Sequence, residues 1–111
     1  MPGKTDDTLA TIRQIILEEA EKTGVKVEKI ILFGSRARGN PRKDSDYDIL
    51  IIVKEQLDKE TRRRLAGRIR RRLAEALIPA DIIVAGIEKW KEYKNTIGHL
   101  YHAIQEEGIP V

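Results

Sequence analysis

Residues 29–53 read KIILFGSRARGNPRKDSDYDILIIV, and the parsing of this stretch decides the fold. Two apolar, β-branched runs, Ile30 to Phe33 and Ile49 to Val53, read as buried strands. Between them lie a Gly-Ser pair, a basic segment and two aspartates one residue apart. A strand sends alternate side chains to one face, so Asp46 and Asp48 point together while Tyr47 points away. Two carboxylates that close repel, and each raises the other's pKa unless a cation sits between them. Paired carboxylates at the mouth of an apolar strand therefore mark a candidate site for a divalent metal held by oxygen ligands.

The other end of the stretch supplies a matching half. Gly34 closes the first strand, and Ser35-Arg36-Ala37-Arg38 is expected to begin a short helix with Ser35 near its cap. A helix start offers unpaired backbone N–H groups and a positive dipole end, which suit phosphate. Glycine removes the Cβ that would hold a phosphate away from the backbone. Arg36 and Arg38 add positive charge nearby. Hard metal ligands next to an anion cradle point to a metal–nucleoside triphosphate.

Gly34-Ser35, ten residues, then Asp46-Tyr47-Asp48 resembles the signature of the DNA polymerase beta-type nucleotidyltransferase superfamily. The fuller text, GSRARG followed by SDYDILI, is similar to the minimal nucleotidyltransferases, or MNT proteins, many of them antitoxins encoded beside a HEPN-domain toxin. The resemblance implies an α+β nucleotidyltransferase fold, a small mixed β-sheet with helices packed against it. It also implies a third carboxylate on the following core strand. Asp81, opening the apolar run Ile82-Ile83-Val84, is the aspartate that fits; read alone, it is a strand-edge residue bonded within a turn.

The chemistry implied runs as follows. Asp46, Asp48 and Asp81 are the catalytic and metal-binding set, and two Mg²⁺ ions about 3.5–4 Å apart clamp the attacking and leaving oxygens of an in-line displacement. Gly34 and Ser35, with Arg36 and Arg38, hold the phosphates of the ATP substrate. Either arginine could instead brace the loop through Asp44 or a backbone carbonyl. Attack at the α-phosphorus transfers a nucleoside monophosphate and releases pyrophosphate.

A chain of 111 residues is expected to form one domain, residues 1–111, with a modest core. Its 41% hydrophobic and 35% charged residues fit a globular rather than a disordered chain. No signal peptide or bilayer-length apolar run is present, so no membrane partner is expected. The absence of cysteine excludes disulfides and thiolate metal sites and leaves a reducing cytoplasm as the default location.

The periodicities predict a first helix from about Asp7 to Thr23, capped by Thr5 or Asp6, with Leu9, Ile12, Ile15, Ile16 and Ala20 inward and Gly24 as its stop. The first strand is expected over Val25 to Phe33, the second over Tyr47 to Val53, and a basic loop over Pro41 to Ser45, where Arg42 and Lys43 are read as solvated and Asp44 as loop chemistry. A second long helix, Lys59 to Leu77, buries Leu65, Ala66, Ile69, Leu73 and Leu77, and Pro79 follows it. A third strand over Ala80 to Ala85 and a helical tail from Gly86 complete the chain. Trp90, Tyr93, Ile97 and Tyr101 on that tail are candidate docking residues, with core packing the stronger reading for Ile97 and Tyr101. His99 and His102 are spaced to share a helix face but lack a third metal ligand.

The second helix carries Arg62, Arg63, Arg64, Arg68, Arg70, Arg71 and Arg72. Arg64, Arg68 and Arg71 fall opposite the apolar stripe, so they are expected to face solvent. The net charge is only +3 and the helix has no stacking aromatics, so nucleic acid is the minor reading. A chain this short is expected to hold no acceptor-binding domain, so a partner brings the acceptor or the chain forms a homo- or hetero-oligomer. The family resemblance points to a HEPN toxin whose tyrosine is AMPylated. Two other functions compete with this one: an antitoxin acting by binding alone, and a nucleotidyltransferase acting on RNA or a small molecule.

Overall fold

The computed structural model describes residues 3–39 and 45–111, with side chains from residue 7 onward. The expected basic loop, with Arg42, Lys43 and Asp44, lies almost wholly outside the described residues. In chain order the elements are α1 (Gly3–Lys22), β1 (Val27–Phe33), β2 (Tyr47–Val53), α2 (Lys59–Glu75), β3 (Ala80–Gly86), α3 (Ile87–Tyr93), α4 (Leu100–Glu107) and β4 (Ile109–Pro110). The strands form one sheet in the order β3-β2-β1-β4. β1 runs antiparallel to β2 and β4, while β2 and β3 are parallel with α2 as their crossover. The sheet is therefore small and mixed, as the resemblance implied.

β2 lies inside the sheet with apolar layers on both faces, which explains its unbroken run of Ile and Leu rather than an alternating pattern. Ile49, Ile51 and Val53 join Ile12 and Ile16 of α1 and Leu65, Ile69 and Leu73 of α2 in one core layer. Leu50 and Ile52 turn the other way, toward Trp90 of α3 and Ile104 of α4. All five of these β2 side chains are fully buried.

Helix ends account for most departures from the sequence reading. α1 starts at Gly3, so Thr5 and Asp6 lie in its first turn rather than capping it. It stops as expected: Gly24 has φ +72° and the Val25 amide donates back to the Ala20 carbonyl. β1 then begins at Val27, two residues late. α2 starts on Asp58, whose carboxylate accepts from the Thr61 amide at 2.7 Å. It ends at Glu75, short of Leu77, through a closing turn of the same kind: the Ile78 amide donates to the Leu73 carbonyl at 2.8 Å and Leu77 takes φ +61°. That backbone turns the Leu77 side chain out to 88% exposure, so it does not join the apolar stripe.

The C-terminal region is not one helix. It breaks between α3 and α4, and β4 returns to pair Ile109 with Leu32 and Pro110 with Ile31. The docking candidates sort only partly as expected: Tyr101 packs half-buried against the Trp90 layer, as core packing implied, but Trp90 itself is 4% exposed and in the core, whereas Ile97 is 88% exposed in the break. His99 caps α4 by accepting from the Tyr101 amide and stacks on Tyr93 at 4.4 Å, so it does not share a helix face with His102. Arg68 does not simply face solvent. With Arg72 and Lys22 it closes on Glu19 of α1, which is 2% exposed. No helix among the described residues is long and apolar enough to cross a membrane.

Candidate active site

At one end of the sheet the chain leaves β1 through Gly34 and enters β2 and β3. Asp46 precedes β2, Asp48 is its second residue, and Asp48 lies in register with Asp81 on the parallel β3. Registered residues of neighbouring strands point to the same face, so Asp48 and Asp81 are cross-strand neighbours. Phe33, the last residue of β1, is in register with Asp48 from the other side, which sets the Gly34 turn beside it. The sequence-predicted residues thus come to one sheet end: Asp81 on the β3 side, Asp48 between, and the turn on the β1 side.

Asp48 is half-buried, and burial pushes its carboxyl pKa up, with Asp81 and then Asp46 pushing it further through their negative charge. Arg38 works against this rise, and Glu107 adds to it. Such crowding of carboxylates is what a divalent cation relieves, and three hard oxygen donors suit Mg²⁺ in chemistry. Among the described residues, no three acidic or histidine side chains already stand as a metal cage. The fit is one of donor type and charge.

Gly34 needs to be glycine twice over. It has φ +76°, and a Cβ there would run into the Asp48 carboxylate, with Cγ at 3.0 Å. The expected short helix after it is a set of tight turns instead: the Ala37 and Arg38 amides both donate to the Gly34 carbonyl at 3.1 Å. The Ser35 and Arg36 amides have no acceptor among the described residues. Turn amides thus stand where a helix end was expected, and successive turn amides of this kind are suited to an anion.

The two turn arginines differ. Arg36 donates twice to the Ser45 carbonyl, at 3.0 and 2.8 Å, and its guanidinium lies 4.1 Å from the Tyr47 ring centre. It braces the far side of the loop, one of the two roles open to it in the sequence. Arg38 pairs with Glu107 at 3.2 Å. Glu107 also accepts from the Gly34 amide at 2.9 Å. This carboxylate is a site residue that sequence reading missed. It ends α4, and the β4–β1 pairing, together with the Val111 amide on the Ile30 carbonyl, pins it over the turn.

Residues 14–106 match the family described as polymerase beta, nucleotidyltransferase, and the chain belongs to that family. A candidate protein adenylyltransferase of Methanocaldococcus jannaschii is 57% identical over 30 residues, 27% of this chain and 30% of that relative. The chain thus matches less than a third of that protein's length. A toxin–antitoxin crystal structure with AMP-PNP superposes with TM-score 0.56 at 25% identity, covering 87% of this chain and 69% of that one. A complex of tri-AMPylated Shewanella oneidensis HEPN toxin with MNT antitoxin matches in fold, with TM-score 0.56 at 18% identity over 95% of this chain and 69% of that one. The nucleotidyltransferase resemblance drawn from the GSRARG and SDYDILI motifs is upheld, and the fold is one shared with a solved MNT antitoxin complex.

Proposed function

We propose that this protein is an MNT-type nucleotidyltransferase and the antitoxin of a HEPN toxin, transferring AMP from ATP to a tyrosine hydroxyl of that toxin with Mg²⁺. The observation that carries this reading is the register of Asp81 against Asp48 beside the Gly34 turn. Paired carboxylates next to open amides are what a metal–triphosphate needs at one place. The adenylyltransferase relative, the AMP-PNP complex and the AMPylated toxin all support adenylyl transfer as the chemistry.

In this mechanism the Ser35 and Arg36 amides hold the β- and γ-phosphates, and Arg38 exchanges Glu107 for phosphate. The acceptor oxygen attacks the α-phosphorus while the bond to the β-phosphate's bridging oxygen breaks, and pyrophosphate leaves. Asp81, on the acceptor side, takes the hydroxyl proton. Asp46, Asp48 and Asp81 would hold magnesium, which when bound would neutralise the phosphate charge. Positioning and charge complementarity provide most of the acceleration.

The test incubates the protein with ATP labelled at the α-phosphate, MgCl₂ and the HEPN protein of the neighbouring gene. Label on a toxin tyrosine, lost in Asp46→Ala and in Asp48→Ala, is the expected result. A toxin silenced without label would show an antitoxin acting by contact alone, and label on added RNA would show a different acceptor.

A further inference from the structure

The seven arginines of α2 separate into two groups once their partners are traced. Arg62 donates to the Leu57 carbonyl, Arg64 pairs with Glu60, Arg68 with Glu19, and Arg72 with Glu18 and Glu19. Those four fasten the helix to its own surroundings. Arg63, Arg70 and Arg71 are exposed and have no ion pair or hydrogen bond among the described residues. Two of these three, Arg70 and Arg71, line a groove of about 420 Å³ whose other wall includes Asp46 and Asp81. Gly67 and Ala74 keep the helix side of the groove low, and a Cβ on Gly67 would meet nothing within 4 Å.

The groove's place in the sheet says which reactant it can take. In-line displacement puts the attacking and leaving oxygens on opposite sides of the phosphorus. The Gly34 turn, where the leaving pyrophosphate is held, lies on the β1 side of Asp48, and the groove opens on the β3 side. We infer that the groove between α2 and the start of β3 is the acceptor site, and that Arg70 and Arg71 select an acidic protein segment carrying the acceptor hydroxyl. Guanidinium pairs are suited to carboxylates, which they bind in a planar, two-pronged way. Among the described residues no aromatic side chain lines the groove to stack a base, so a protein segment fits better than single-stranded RNA. This assignment rests on the nucleotidyl-transfer reading and names the acceptor class for that same site.

The test uses the full chain with Mg·AMP-PNP and three fluorescent probes: a tyrosine peptide flanked by glutamates, the same peptide flanked by lysines, and a short single-stranded RNA. Anisotropy should show the acidic peptide bound tightest. R70S/R71S should weaken it roughly tenfold, the size of two partly screened ion pairs, while R63S and the affinity for AMP-PNP stay unchanged. Equal binding of the acidic peptide by R70S/R71S, a parallel loss of AMP-PNP affinity, or preference for RNA would each overturn the groove assignment and leave nucleotidyl transfer standing. A second arm replaces AMP-PNP with α-labelled ATP. Peptide that binds as expected yet never takes label from the wild-type protein would overturn the transfer reading, and the acceptor role with it.

Discussion

At the scale of single residues, Asp48 carries the most information. Its carboxyl pKa is raised by burial and by Asp81 and Asp46, so its ionised form works against the folded state. A folded-state pKa above the unfolded one favours folding in acid, and that favour is lost as pH rises through the raised value. Asp48→Asn is therefore expected to raise the melting temperature at neutral pH while abolishing transfer. The gain should stay below about 1 kcal/mol, because solvent screens a half-buried group. Thermal melts across pH check it: the gap between variant and wild type should close on acidification. Glu107 offers a second residue-scale prediction. Its carboxylate holds Arg38, which phosphate would use, and puts a negative charge on the Gly34 amide next to the phosphate-binding amides. Glu107→Ala should tighten AMP-PNP binding by roughly five- to tenfold in calorimetry. Weaker binding would mean that Glu107 braces the turn instead.

At the scale of elements, the two long helices end alike but on different residues. α1 puts Gly24 at the left-handed position and α2 puts Leu77 there. A left-handed non-glycine residue costs about 1–2 kcal/mol, and the exposed Leu77 side chain gives little back. Leu77→Gly should stabilise the protein by about 1 kcal/mol in urea unfolding. The α1–α2 contact turns on Glu19, buried yet held ionised. Burial alone would raise its pKa, but the hydrogen bonds of Arg68, Arg72 and Lys22 together bring it below the ordinary carboxylate range. Its contribution is present above the normal carboxylate pKa and is lost as pH falls through the lowered one. Glu19→Ala leaves these cations without their shared partner and should cost about 3 kcal/mol, near the figure for breaking a buried pair and reduced by the arginines' exposure. Neither feature was legible in the sequence. Leu77 and Arg68 obey helical spacing, and nothing local says that the backbone turns left-handed at one or that the other reaches a buried glutamate.

At the scale of the whole molecule, the central strands and the carboxylate pair were legible because short-range rules govern them: β-branched runs mark buried strands, and a two-residue spacing fixes a shared face. Asp81 needed the family resemblance, and its register with Asp48 is a tertiary fact. The C-terminal region misled for the same reason in reverse. The break between α3 and α4, where Gly98 takes φ +94°, interrupts what looked like one helix face, and β4 is two residues long and leaves no periodicity to read. Glu107 lies 73 residues from the amide it meets, beyond any motif. Placed together, these parts put a carboxylate set and a turn with open amides at one sheet end, and the proposed activity requires that they share one ligand. Calorimetric titration of Mg·AMP-PNP into wild type and Asp48→Asn measures that sharing. Metal-dependent binding to the wild type, lost in Asp48→Asn, is the expected result. Binding of equal strength in the variant, or without magnesium, would contradict it.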